Sequence, residues 1–271
     1  VVAASEATLV HCRIKQATPF SPSPAVHYSS SKGTLSQMSI TTQGESSHAV
    51  LLSSSQDIII EQSSLTSSGE DASALAILES TRITTYDTVL TSIAQHTNTL
   101  LLFSSSENTF LHTTLRSISS SIPSSISLTS STNNTFRDNS ILYGLTGVHI
   151  EDFPPFTSTN NFGANIFTPL QEEAVTFILI GPANIDLVNP TQDHLYDFVT
   201  PDSTATIFFP VTLSLGSLTF HDAAHATLYD SDNTEISSHD LLPNLDLSVN
   251  LPAQTLSQEG ISLFKSYRAR L

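Results

Sequence analysis

AVLLSSSQDIIIEQSSL occupies residues 49–65, and the same arrangement of residue types returns three times further along the chain. The later copies are ALAILESTRITTYDTVL at residues 74–90, TLLLFSSSENTFLHTTL at residues 99–115 and SISLTSSTNNTFRDNSI at residues 125–141. Their starts lie 25, 25 and 26 residues apart, and each copy holds an apolar alternation, a polar corner and a second short strand. A fixed period of this length indicates a solenoid, in which each repeat packs against its neighbours.

Four mostly apolar columns run through the copies. They are Val50, Leu75, Leu100 and Ile126; Leu52, Ile77, Leu102 and Leu128; Ile60, Thr85, Phe110 and Phe136; and Leu65, Leu90, Leu115 and Ile141. The first two columns stand two residues apart, which is the period of a strand and places both on one face. Thr85 breaks its column, and we expect Ile83 to replace it in the core. The columns continue at Leu9, Ile14, Leu35, Ile40, Val148 and Ile150.

The corner sequences Glu107-Asn108-Thr109-Phe110 and Asn133-Asn134-Thr135-Phe136 resemble those of right-handed parallel β-helices of the pectin-lyase-like kind, and most of all the NosD-like carbohydrate-binding repeats. The resemblance covers residues 5–167 and implies about seven coils of ~25 residues. Stacked corner asparagines can form ladders of amide hydrogen bonds, and the alternative is a polar ridge that faces a glycan. The fold hosts lyases, hydrolases, phage spikes and adhesins, so it implies architecture more than activity.

The second half of the chain has a different pattern. Phe153-Pro154-Pro155-Phe156 interrupts the last coil, and Asn160-Asn161-Phe162 resumes the corner and strand. From residue 168 the period is lost, and seven short strand candidates alternate with turn clusters, which is typical of a β-sandwich. We therefore predict an all-β chain, with a parallel β-helix over residues 1–167 and a small antiparallel β-sandwich over residues 168–271.

The surface chemistry is set by Ser, Thr and Asn, because only 13% of the chain is charged. The net charge of −16 argues against nucleic acid as a partner, since phosphate neutralisation needs Lys and Arg. A single cysteine, Cys12, excludes an intrachain disulfide, and no apolar run reaches the length of a membrane span. This composition favours an extracellular or cell-surface protein, and the start at Val1 indicates a chain cut from a longer precursor.

The two ends of the chain suggest contacts between subunits. Residues 139–264 contain no Lys or Arg, whereas the last residues are basic, so we expect the tail to meet an acidic surface or to lie solvated. The first strand begins within a coil, which predicts either a lost precursor segment or head-to-tail stacking of another subunit. The candidate assembly contacts are Val1, Val2, Lys265, Arg268 and Arg270.

No catalytic set emerges from the sequence. Arg13-Ile14-Lys15 matches one element of polygalacturonases, but the Asp-Asp pair and the Gly-His-Gly of that family are absent, so we attribute the match to chance. The candidate glycan contacts are Asn108, Asn133, Asn134, Arg116 and Arg137. The candidate metal ligands are His221, His225, Asp222, Asp230 and Asp232. Because strand-like flanks and a missing loop glycine disfavour zinc and EF-hand sites, we expect no cofactor, with Ca²⁺ as the alternative.

These observations favour a non-catalytic extracellular β-solenoid with a structural or adhesive role. Such a protein would self-associate or bind other surface proteins, as a subunit of a fibre or a surface layer. Two alternatives stay open. One is a polysaccharide lyase or hydrolase with a groove along one solenoid face, and the other is a glycan-binding module without catalysis.

Overall fold

The computed structural model describes residues 6–16, 23–94, 96–118, 124–171 and 174–188, together with short strands further on, and after residue 186 only the backbone is described. Every regular element in these ranges is a β-strand. None of the residues in them forms a helix that is long and apolar enough to cross a membrane. Three stacks of parallel strands, sheets A, B and C, make up the body of the protein.

The chain passes through sheets A, B and C once in each coil. Sheet A contains β3 (Val26–Ser29), β6 (Val50–Ser53), β9 (Leu75–Leu78), β12 (Leu100–Phe103), β15 (Ser124–Thr129), β18 (Thr146–Glu151), β21 (Val175–Ile180) and β23 (Tyr196–Phe198). Sheet B contains β1 (Glu6–Val10), β4 (Lys32–Ser36), β7 (Ile58–Glu61), β10 (Thr84–Tyr86), β13 (Thr109–Leu111), β16 (Thr135–Arg137), β19 (Ser158–Gly163), β22 (Ala183–Val188) and β24 (Thr204–Leu213). Sheet C contains β2 (Arg13–Gln16), β5 (Ser39–Thr42), β8 (Ser64–Ser67), β11 (Val89–Ser92), β14 (Thr114–Ser117), β17 (Ser140–Tyr143) and β20 (Ile166–Pro169).

Strand register confirms the predicted columns. In sheet A, Val50, Leu75, Leu100 and Ile126 are aligned one above the other. In sheet B, Leu9, Leu35, Ile60, Thr85, Phe110 and Phe136 are aligned in the same way. The chain therefore contains a parallel β-helix of about seven coils, of the right-handed type that the resemblance implied.

The interior of the solenoid is a continuous apolar column capped by polar corners. Phe110, Phe136 and Phe162 stack face to face on successive coils, with ring centroids 4.8 and 4.7 Å apart. Thr85 keeps its place in this column and is fully buried. Ile83 is also buried, but its backbone N–H donates to the side chain of Asn108, so it belongs to a different column and does not replace Thr85.

Asparagine side chains form ladders inside the corner between sheets A and B. The amide nitrogen of Asn108 donates to Oδ1 of Asn134 over 2.9 Å, and that of Asn134 donates to Oδ1 of Asn160 over 3.0 Å. All three residues are fully buried. The side-chain amides of this ladder also form hydrogen bonds with backbone groups of the neighbouring coil. A second ladder, from Asn139 to Asn165, does the same at the corner between sheets B and C. The ladders pin the register of successive coils, because a slipped coil would leave these buried groups without partners.

The coils turn without glycine at most corners. In the coil that begins at β6, Ser54, Asp57 and Gln62 have φ of 48°, 54° and 47°, in the left-handed region. Residues at the equivalent corners of neighbouring coils share this conformation, among them Glu79, Arg82 and Asp87. These left-handed corner residues are all polar, and they include the long side chains of Gln62, Glu79 and Arg82 as well as the short ones of Ser54 and Asp57. The chain thus turns at three such positions in each of these coils without glycine, and the whole sequence contains only 9 glycines.

Parallel pairing continues beyond the predicted boundary at residue 167. Strand β21 pairs with β18 and places Phe177 beside Val148 and Leu179 beside Ile150, and β22 and β24 extend sheet B. The apolar alternation therefore continues the core although the 25-residue period has ended. Antiparallel pairs follow, which join β24 to β27 (Leu247–Ser257) and β27 to β28 (Gly260–Leu263), and join β25 (Ala224–Tyr229) to β26 (Glu235–Leu241) and β29 (Arg268–Arg270). The packing of these strands as a sandwich stays a prediction.

Candidate functional site

The outward faces of the three sheets differ in chemistry. The outward side chains of sheet A include the apolar residues Leu51, Leu78, Leu101 and Phe103 on three successive coils, and polar ones elsewhere, such as His27, Thr129 and Glu151. Those of sheet C are mostly short, and include Ser64, Thr66, Val89 and Thr91. Register also aligns hydroxyl groups on sheet C, at Thr41, Thr66 and Thr91. Sheet B and its two corners combine hydroxyl, amide and charged groups, with Ile59 and Leu111 as apolar members. We call these outward side chains of sheet B and its corners face B.

A column dominated by threonine runs along the centre of face B. Register aligns Thr34, Ile59, Thr84, Thr109, Thr135 and Asn161 on six successive coils. Since neighbouring strands lie about 4.8 Å apart, the column is about 24 Å long. Each threonine hydroxyl both donates and accepts hydrogen bonds, so the column offers both functions at every step except Ile59.

A row of alternating charge borders face B at the corner with sheet A. Lys32 Nζ lies 2.8 Å from Asp57 Oδ2, and Arg82 Nε lies 2.6 Å from Asp57 Oδ1. Glu107 follows at the equivalent corner of the next coil and acts electrostatically on Arg82. The hydrogen bond from Arg82, with that from Lys32, holds the pKa of Asp57 well below its usual range. The cations of this row are therefore compensated by carboxylates on the neighbouring coils.

This row makes a pH-dependent prediction. Asp57 has a depressed pKa, so its ion pairs are intact at neutral pH and are lost only as the pH falls through that lowered value. We expect carboxyl ¹³C NMR to show Asp57 still ionised where an ordinary aspartate protonates, and Arg82→Gln to move its pKa back up. Arg116→Gln, on sheet C, is the control and should leave it in place. An unchanged titration in Arg82→Gln would show that the ion pair does not form in solution.

A second polar row borders face B at the corner with sheet C. His112 lies between two carboxylates, with Nδ1 at 3.7 Å from Asp87 Oδ1 and Nε2 at 3.9 Å from Asp138 Oδ2. Arg137 Nε lies 3.1 Å from Asp138 Oδ2. All four side chains are substantially exposed, so this row is a solvated ridge rather than a cleft.

The structure separates the five predicted glycan contacts. Asn133 lies exposed at the corner of face B, and Arg137 lies on face B itself. Arg116 projects from sheet C, on another side of the solenoid. Asn108 and Asn134 are buried in the ladder and their amides are fully engaged there, so we no longer regard these two side chains as glycan contacts.

Most of the other predicted site residues lie outside the described part of the chain. These are the metal candidates His221, Asp222, Asp230 and Asp232 and the assembly candidates Val1, Val2 and Lys265. His225 belongs to β25, and Arg268 and Arg270 belong to β29, where only the backbone is described. Within the described side chains, no group of three or more His, Cys, Asp or Glu residues is placed to hold a metal ion.

Sequence reasoning missed the two most regular features of face B. One feature is a charged column at intervals of 25 residues, formed by Lys32, Asp57, Arg82 and Glu107. The other has the same interval and contains Thr34, Ile59, Thr84 and Thr109. The same period that identified the apolar columns would have aligned these polar columns.

Comparison with known proteins yields few matches. No protein-family model matches the chain, and no curated protein matches it. Among solved structures, the chain is similar to the enzymatically active domain of tailspike protein 2 from bacteriophage CBA120, with a TM-score of 0.38 and 8% sequence identity. The match covers 73% of this chain and 39% of the tailspike chain, so this chain spans about two fifths of that structure.

Proposed function

We propose that this protein is a non-catalytic, adhesive β-solenoid of the cell surface, and that face B binds an extended neutral glycan. The observation that supports this most is the threonine column between two polar rows, which repeats from coil to coil. A polymer of sugar units is itself a linear repeat of hydroxyl donors and acceptors. Successive sugar units of such a polymer can therefore form hydrogen bonds with successive coils of the solenoid.

The charges of face B favour a neutral ligand. The cations Lys32 and Arg82 are both paired with Asp57, and Arg137 is paired with Asp138. An anionic polymer such as a uronan would need cations that are not already neutralised by the protein. The paired side chains can still form hydrogen bonds with sugar hydroxyls at the edges of face B. They would not attract a charged polymer, because their charges are already compensated.

A bulky substitution in the middle of face B tests this proposal. Thr109→Lys projects a long side chain from the centre of the threonine column, where a bound polymer would run. We expect it to weaken binding on a glycan array at least about tenfold, as the loss of two hydrogen bonds would. Thr66→Lys makes the same change on sheet C and is the matched control. Equal losses in both variants, or none in Thr109→Lys, would contradict binding on face B.

One observation favours a second candidate, a polysaccharide hydrolase. Asp87 and Asp138 are two coils apart, hence roughly 9.6 Å at the strand spacing, and they flank His112. Inverting glycosidases hold their carboxyl groups about 6.5–9.5 Å apart. Their position on an exposed ridge argues for the binding role, because a glycosidase holds its general acid in a protected, partly apolar setting. New reducing ends released from any bound glycan, and lost in Asp138→Asn, would establish the hydrolase instead.

A further inference from the structure

One coil of the solenoid carries an insertion at the corner between sheets A and B. Nine residues lie between Glu151 and Asn161, whereas five lie between their register partners Thr129 and Thr135, so this coil has four extra residues. Phe153, Pro154, Pro155 and Phe156 lie within the insertion, and the Pro154–Pro155 peptide bond is cis. An added loop on a regular repeat is a frequent location of function, since the scaffold itself does not require it.

The insertion exposes two aromatic rings. Phe153 is 53% exposed and Phe156 is 61% exposed. The phenylalanines of the core are buried, namely Phe110, Phe136, Phe162, Phe167 and Phe177, and Phe103 on sheet A is partly exposed. Leaving two large apolar rings in water costs free energy that burial elsewhere would recover, so such a pair marks a binding surface.

The base of the loop is held in place by its neighbours. Asp152 is almost fully buried, and its carboxylate accepts hydrogen bonds from the backbone N–H of Ser158, over 3.0 Å, and from the Ser158 hydroxyl. The backbone N–H of Asp152 also donates to Ile180 on the next coil. At the other end, Asn160 is locked into the asparagine ladder. The two rings are thus presented from a closed loop whose ends are both fixed to the solenoid.

The surroundings of the rings are mostly polar, with the acidic residues Glu151 and Asp152 just before Phe153. The sequence from Phe153 to Leu170 contains no charged residue. Thr159 lies beside the loop. Its carbonyl accepts a hydrogen bond from the backbone N–H of Asn133, and its own backbone N–H donates to the Thr132 hydroxyl. Asn161, two residues on, belongs to the threonine column of face B, which continues at Asp186 on the next coil. The insertion therefore lies beside Asn161 of face B, among hydroxyl and amide groups, with the carboxylate of Asp186 on the next coil.

We propose that Phe153 and Phe156 form an aromatic platform that stacks against a pyranose ring at one end of a glycan bound to face B. This inference rests on the proposed function and specifies its ligand. A pyranose with equatorial hydroxyls, as in β-linked glucans, exposes flat C–H faces that pack on aromatic rings, while its hydroxyls bond to nearby amides and hydroxyls. An acyl chain could not form hydrogen bonds with the amide and hydroxyl groups beside the rings, whereas a sugar can.

Titration with cellohexaose, a neutral β-linked glucan, tests the platform. We expect aromatic NMR signals of Phe153 and Phe156 to shift on binding, and the double variant Phe153→Ala, Phe156→Ala to lose affinity about tenfold. Phe156→Trp, which enlarges the stacking surface, should keep or raise the affinity, whereas a role confined to folding would not favour tryptophan. Phe103→Ala is the matched control and should bind as the wild type does.

The outcomes separate this inference from the function on which it rests. If the double variant binds cellohexaose as tightly as the wild type while Thr109→Lys does not, the platform is refuted and face B stands. If the wild type binds another glycan on face B but not cellohexaose, the assignment to equatorial glucans is refuted and the function again stands. If no glycan binds the wild type, both are refuted.

Discussion

Replacing Phe136 with alanine is expected to destabilise the solenoid by about 4 kcal/mol, the largest effect of any single change considered for this protein. The ring is fully buried and is stacked on both sides, against Phe110 and Phe162. Its removal leaves a cavity between two coils. Those coils cannot close together, because backbone hydrogen bonds of sheet B fix their separation at the strand spacing.

Urea unfolding followed by circular dichroism measures this loss. Phe103→Ala is the matched control, since the side chain of Phe103 is 45% exposed on sheet A, and it should cost less than about 1 kcal/mol. Neighbour-coupled repeats can unfold in parts, so the two variants are best compared by the midpoint of the whole transition. Similar midpoints for Phe136→Ala and Phe103→Ala would mean that Phe136 is not in a packed interior.

Asn134→Ala is expected to cost about 3 kcal/mol, the second-largest effect. Asn134 Oδ1 accepts from the backbone and side chain of Asn108, and its amide nitrogen donates to Asn160 and to the Ser105 carbonyl. Alanine leaves these partners buried and unsatisfied, at about 1–3 kcal/mol for each group that water cannot reach.

The control for the ladder is Asn161→Ala, the same change on the outward face of the neighbouring coil. Its side chain is partly exposed, so water can replace lost hydrogen bonds and we expect a change within about 0.5 kcal/mol. If both alanine variants unfold at the same urea concentration, the ladder does not contribute to register in solution.

Most of the solenoid could be predicted because its core is periodic. Columns such as Leu75, Leu100 and Ile126 need only agree in residue type at one spacing, and the register of sheet A then follows. Thr85 was harder, because a buried threonine in an apolar column has the wrong chemistry but the right backbone position. The continuation of sheet A through Val175–Ile180 was not predicted, although its side chains have the apolar chemistry of the core. Inserted residues place this strand 29 positions after its register partner instead of about 25.

The candidate site was less predictable, since polar residues at corners have several uses. Asn133 and Asn134 are adjacent in the sequence, yet one is exposed at the corner and the other is a fully buried member of a ladder. Only the left-handed conformation at Asn133 separates their directions. Likewise Arg116 and Arg137 occupy neighbouring coils. Arg116 lies on β14 of sheet C and Arg137 lies on β16 of sheet B, so the two side chains project from different faces of the solenoid.

Mapping of a bound glycan on the protein by backbone amide NMR tests the central claim most directly. The account predicts that a bound neutral oligosaccharide shifts outward residues of sheet B, such as Thr84, Thr109 and Thr135, and residues of the insertion around Phe156. It also predicts unshifted signals for Thr66 and Thr91 on sheet C. Shifts confined to sheet A or sheet C, or the absence of any shift with every neutral glycan tried, would contradict it.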